Sequence, residues 1–246
     1  MPALLFLYPD KDPEVITAVS LIAVLANSAS GSLAYGYQRR IDYRSGIPFV
    51  IAGLPGAILG AVLVGYIPRQ TFDALFALLL AGVGLFLLVR SPSNAIHPPA
   101  HGWTTVQRDL TDRTGNRYFY SFQMWKALAV SAVIGFVSSL LGIGGGVLHV
   151  PVMATMLHFP IHIAAATSHF VLAFMALEGT AVHVATGVIT VDRSLAQALL
   201  LAVGAVIGAQ VGARLSRRVH GPFIMRALAV GLILVAIRLA VQAVTG

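Results

Sequence analysis

The chain has 246 residues, 57% of them hydrophobic and only 10% charged, with no cysteine and a formal net charge of +7. A soluble domain carries about 25% charged residues, so this composition belongs to an integral membrane protein; the lack of cysteine also excludes a disulfide framework and any thiolate metal site. The excess of 16 Lys and Arg over 9 Asp and Glu fits loops beside anionic lipid, not a nucleic-acid partner.

Met1–Tyr8 is apolar but too short to span a bilayer, and it lacks the basic start and small-residue cleavage site of a signal peptide. The turn Tyr8-Pro-Asp-Lys-Asp-Pro13 leads into a long apolar helix expected from Glu14 to about Tyr37, with a polar patch at Asn27, Ser28, Ser30 and Ser32. After the basic loop Gln38–Arg44, a second helix covers about Ile47–Tyr66. Its Gly56 and Gly60 share one face, where another backbone can come close. A third helix covers about Thr71–Val89. Residues 91–123 then read as a polar, cytoplasmic linker, with Pro92, Pro98 and Pro99, between a first repeat of residues 1–90 and a second of residues 124–246. Linkers of that length are functional or loosely ordered.

The second half opens with a helix from about Trp125 to Leu141, which runs into Gly142-Ile-Gly-Gly-Gly146 and on past Pro151 to Leu157. Each interior Gly costs a helix about 1 kcal/mol against Ala, and Pro about 3. At membrane depth the freed backbone groups survive only where protein or a water-filled cavity covers them. Discontinuous helices of this kind build ion and substrate sites in transporters, with the N-terminus of a half-helix facing an anion. Gly144, Gly145 and Gly146 are therefore candidate substrate contacts. The plainer alternative is a glycine packing face, but such faces space their small residues by four. The turn His158–His162 follows, then a helix over about Ile163–Ala185, a loop to Arg193, a helix over about Leu195–Leu215 with Gly204, Gly208 and Gly212, a basic turn, and a last helix over about Phe223–Val244. The expected fold is all-α: a polytopic membrane protein of about seven transmembrane helices in two tandem repeats, with a Gly-rich broken helix.

The two halves repeat one another at an offset of about 148–149 residues. Ala18-Val-Ser20 pairs with Ala166-Thr-Ser168, Arg44-Ser45 with Arg193-Ser194, Gly56–Gly60 with Gly204–Gly208, and Pro2 with Pro151. Internal repeats mark secondary-transporter folds. Gly142–Gly146 followed by Pro151, then Ala166-Thr-Ser168, His183 with Gly187 and Asp192-Arg193, and Gly204-Ala-Val-Ile-Gly208 together resemble the TauE/SafE sulfite-exporter family of membrane transporters. In the first half, Ile41-Asp-Tyr-Arg44 and Gly56–Gly60 carry the same likeness. The resemblance implies about eight helices in two four-helix repeats, and the movement of sulfur oxyanions, organosulfonates or related small anions across the cytoplasmic membrane. Against that pattern, the first repeat is expected to lack its opening helix and Gly-rich motif.

Arg39, Arg40 and Arg44, and the linker with Arg108, Arg113, Arg117 and Lys126, are expected on the cytoplasmic side. Simple alternation then puts Arg69 and the His158–His162 turn outside and Arg193 inside. It also leaves Arg214, Arg217 and Arg218 outside, against the positive-inside rule.

Glu178 is the one acid deep in an expected span, where a charge costs at least about 2.5 kcal/mol, so it is a proton-coupling candidate. At about 100° per residue, His169 and His183 fall within about 40° of each other, and Glu178 points away from both. His183 with Thr167 and Ser168 would line the anion path, His169 would join Glu178 in proton coupling, and Ser20 and Asn27 would contribute from the first half. The plainer alternative for each is a hydrogen bond that holds helices together. His149, His158 and His162 hint at a metal, but Pro160 separates the last two and no thiolate supports them. No metal and no cofactor are expected, and no Walker loop or other enzyme signature is found. The reading is a multi-pass protein of the inner (cytoplasmic) membrane. Its partners are the lipid bilayer and a small anionic substrate, and a homodimer is left open. A non-transporting scaffold or partner subunit is the alternative, and a channel a third.

Overall fold

The computed structural model describes residues 1–8, 10–89, 104–188, 193–215 and 221–245. Part of the proline-rich linker (90–103), Asp192, and Arg217 and Arg218 lie outside these. In chain order the elements are α1 (Pro2–Leu7), α2 (Pro13–Tyr37), α3 (Tyr43–Leu63), α4 (Arg69–Val89), β1 (Thr105–Thr111), β2 (Arg117–Gln123), α5 (Met124–Leu140), α6 (Gly146–Thr155), α7 (Ile161–Ala185), α8 (Arg193–Leu215) and α9 (Gly221–Thr245). Among the described residues, four stretches are long and apolar enough to cross a membrane: α2, α3 with its following turn, α4 and α7. Met124–Leu140 and Ala198–Gly212 are shorter apolar helices.

The expectation of an all-α chain with a loose linker fails at one place. Thr105–Gln123 is an antiparallel hairpin, with Thr105 opposite Gln123 and Thr111 opposite Arg117. The reason is period-two alternation: Tyr118, Tyr120 and Phe122 turn inward while Arg117 and Phe119 turn outward. Aromatic residues in that pattern suit a half-buried strand. Phe122 meets Phe49 edge-to-face and Phe159 at a tilt, so the hairpin packs on α3 and on the chain leading into α7.

α3 and α5 run parallel in backbone contact. A Cβ on Gly56 would collide with the Ala132 carbonyl, one on Gly60 with that of Phe136, and one on Gly135 with that of Gly53. Small residues permit this approach, which supplies the dispersion contacts that join helices in lipid. The matching glycines of α8, Gly204, Gly208 and Gly212, have open space at that position. α2 and α7 cross antiparallel. Leu21 seats on Gly179 and His169 seats on Gly31, two contacts related by one 148-residue offset. The principal pairings, α3 with α5 and α7, α2 with α7 and α8, and α4 with α9, all join the first half to the second.

The end of the bundle that carries the hairpin collects the basic residues. Gln210 of α8 donates to the Ser30 carbonyl (3.0 Å) near the C-terminal end of α2, which places Arg214 at this end too. Phe159 lies against Tyr120 here, with ring centroids 4.5 Å apart. The expected alternation therefore breaks at α5. The chain turns back after Leu140 and returns through α6 to the end it left, so His158–His162 sits beside the hairpin. This reversal also removes the conflict over Arg214.

Candidate functional site

The break follows from glycine at two backbone positions. Gly142 (φ 59°) and Gly144 (φ 64°) are left-handed, a conformation glycine adopts without steric cost. Gly142 lies against Thr17 of α2, and Gly144 between Val24 of α2 and Leu172 of α7. At about 1.5 Å per residue, Thr17 and Val24 are about 6 and 16 Å from the start of α2. The unwound chain thus enters the middle of the α2–α7 pair, walled by protein.

Its backbone bonds can be accounted for. Ile143 N donates to the Ser138 carbonyl (3.2 Å), and the Leu148 and His149 amides donate to the Gly145 carbonyl at 3.0 and 2.6 Å. The Gly142 carbonyl accepts from the Ser20 hydroxyl at 2.6 Å. The amides of Gly144, Gly145 and Gly146 make no hydrogen bond to any described residue. They sit at the N-terminus of the ten-residue α6, the positive end of its dipole.

The side chains nearby are similarly unpaired. Thr17 Oγ1, Ser139 Oγ, Thr180 Oγ1, both ring nitrogens of His183 and both carboxyl oxygens of Glu178 are buried without a partner among the described residues. Thr17 and His183 are fully buried. The register that seats Leu21 on Gly179 brings Thr17 level with His183, and Ser139 Oγ borders Gly179. A buried polar atom left unbonded costs about 1–3 kcal/mol. Several of them in the same end of the α2–α7 pair as the three free amides describe a region suited to a polar guest.

A family model described as "Sulfite exporter TauE/SafE" matches residues 1–239. The chain belongs to that family. This TauE/SafE protein is a polytopic membrane transporter and not an enzyme. It is 30% identical over 245 residues to "Probable membrane transporter protein YunE" of Bacillus subtilis (strain 168), covering 97% of this chain and 87% of that one. It is 31% identical over 159 residues to a "Probable membrane transporter protein" of Xylella fastidiosa (strain 9a5c), covering 65% of this chain and 54% of that one. No solved structure matches it.

The site residues expected from the sequence of this TauE/SafE chain fall into two groups. Gly144, Gly145, Gly146, Ser20, His183 and Glu178 belong to the break and the half of α7 beside it. Ser20 is a tether: its hydroxyl is spent on Gly142. Thr167, Ser168 and His169 lie toward the hairpin end. Thr167 Oγ1 accepts from the Asp42 amide (3.0 Å), and Ser168 Oγ donates to the Ala165 carbonyl of its own helix (3.0 Å). His169 places Nδ1 2.9 Å from the Ala165 carbonyl and its ring edge-on to Tyr35. Asn27 is half-buried and bonds to no described residue.

Three residues beside the break were not singled out as candidate substrate contacts from the sequence. Thr17 and Ser139 look like ordinary small helix residues, and only the reversal of the chain brings them to the glycines. His149, weighed in the sequence solely as a metal ligand, has Nε2 3.2 Å from Ser131 Oγ, which donates to the Phe49 carbonyl at 2.8 Å. This chain ties α6 back to α5 and α3 across the break. Among the described residues no group of three metal-ligating side chains occurs.

At the hairpin end Asp42 caps α3, accepting from the Ser45 amide (3.2 Å) and the Tyr120 hydroxyl (2.9 Å), with Arg108 3.4 Å away. Arg40 pairs with Asp112 at 2.9 Å, both buried. Burial pushes the Asp112 carboxyl up, but hydrogen bonds from Thr114, Arg40 and Asn116 outweigh it and hold the group well below the usual carboxylate range. Burial, then the neighbouring Asp42 carboxylate, pushes the Tyr120 hydroxyl far above its ordinary value, so it stays a donor.

Proposed function

We propose that this TauE/SafE chain is a secondary transporter, working as an exporter, for a small anion such as sulfite, an organosulfonate or a related organic acid. The unwound segment between α5 and α6 receives the anion. One observation carries this reading: three unbonded glycine amides at a half-helix N-terminus between α2 and α7, in a segment that begins at Gly142 against the unpaired Thr17, with the unpaired Ser139 and His183 farther along toward the same end of the bundle. Helix termini with free amides are ready anion sites. The opposite chain directions of α2 and α7, 25 residues each, support a pair of inverted repeats about the site, the arrangement that lets one half rock against the other in secondary transporters. The basic hairpin end faces the cytoplasm of a bacterial cell.

Glu178 carries the coupling proton in this reading, as an acid within a spanning helix whose carboxyl is buried without a partner among the described residues. His169, engaged on Gly31 and Tyr35, serves packing. Purified protein in proteoliposomes provides the test: anion uptake must be saturable and driven by a pH gradient, and Glu178→Gln must abolish the gradient's effect while downhill exchange survives. Unchanged gradient-driven flux in that variant removes proton coupling. A channel would show no accumulation against a gradient, and a scaffold no thermal stabilisation by any anion.

A further inference from the structure

We propose that the break accepts only singly charged anions, selecting on charge because its lining is made of neutral dipoles. This rests on the anion-transport reading above and narrows it. Apart from the Glu178 carboxyl and the His183 ring, the unpaired groups along the segment are uncharged donors: the amides of Gly144–Gly146 and the Thr17 and Ser139 hydroxyls. Among the described residues, two arginines at this end of the bundle are engaged by other groups. Arg69 bonds Asp73, the Lys11 carbonyl and the Leu5 carbonyl, and Arg238 stacks over Phe6. At the opposite end Arg40 is held by Asp112 and Arg108 by Asp42.

The physical consequence concerns charge more than size. The cost of taking an ion from water into a low-dielectric interior rises with the square of its charge, so a dianion pays about four times as much as a monoanion. A half-helix terminus returns the equivalent of about half an elementary charge, and hydroxyl dipoles add hydrogen bonds but no net charge. That can balance one negative charge and leaves a second exposed. Glu178 cannot help, being neutral or itself negative.

The experiment uses the full chain in phosphatidylethanolamine–phosphatidylglycerol vesicles, with labelled methanesulfonate as the monoanion and sulfate as a dianion of similar size. We expect unlabelled methanesulfonate to compete for uptake, and sulfate to need a concentration about ten-fold higher or more for the same inhibition. Equal competition overturns the charge rule and leaves anion transport standing. No saturable uptake and no thermal stabilisation by either anion overturns the transport reading and this inference with it. Thr17→Lys, checked for a monodisperse gel-filtration peak, or Ser139→Lys if that variant fails to fold, places a cation at the lining and narrows the gap towards sulfate. A folded variant with an unchanged ratio shows that the lining does not set the preference.

Discussion

Two hydroxyls one turn apart on α2 separate structural from functional polarity. The Ser20 hydroxyl holds the Gly142 carbonyl at 2.6 Å, while the Thr17 hydroxyl is buried without a partner. Ser20→Ala leaves a buried carbonyl unbonded and is expected to cost about 1 kcal/mol or more, read as a lower melting temperature in detergent. Thr17→Val removes an orphaned oxygen at constant shape. It is expected to leave the melting temperature unchanged or raise it by the equivalent of about 1 kcal/mol, while anion uptake falls. Loss of stability with uptake intact would show that Thr17 is a packing residue. The Asp112 carboxyl has a different signature. Its folded-state pKa is depressed, so its contribution is fully present above the ordinary carboxylate value of about 4 and is lost as acid protonates it. Protease sensitivity of the hairpin is expected to stay flat from about pH 5 to 8 and to rise only below about pH 4. Asp112→Asn, which breaks a buried ion pair, is expected to destabilise by about 3 kcal/mol at neutral pH.

Among the elements, α3 and α8 carry the same glycine spacing with different surroundings. Gly56→Leu drives a side chain into the Ala132 carbonyl and is expected to prevent folding or lower the melting temperature sharply. Gly208→Leu points into open space and is expected to change stability by less than about 1 kcal/mol. Equal damage from both would show that another helix covers α8. The sequence foretold the glycines but not this difference, because spacing defines a face and says nothing of what meets it. The break itself was legible, since Gly142 to Pro151 cannot form an uninterrupted helix. The hairpin was not. Proline and charge in residues 91–104 suggested a loop, and that impression spread over the alternating Arg117–Gln123, where period two was the stronger signal. The reversal after α5 was hidden too, because a count of apolar segments assumes that each one crosses.

For the whole molecule, that reversal fixes which ends share a side. The chain has no cysteine, so single cysteines can be labelled against a blank background. Thr114→Cys in the hairpin turn and Arg214→Cys in the last turn of α8 are expected to react with a membrane-impermeant maleimide from one side, and Gln70→Cys from the other. Labelling of Arg214→Cys together with Gln70→Cys would restore simple alternation and remove the inverted relation of α2 and α7.

The principal helix pairings tie residues before the linker to residues after it. Neither half owns a core that it could close by itself, so the covalent joint near residue 95 contributes proximity more than structure. Two genes, one ending before the linker and one beginning after it, would then yield fragments that find each other in the bilayer and co-purify as an obligate pair, each degraded when made without the other.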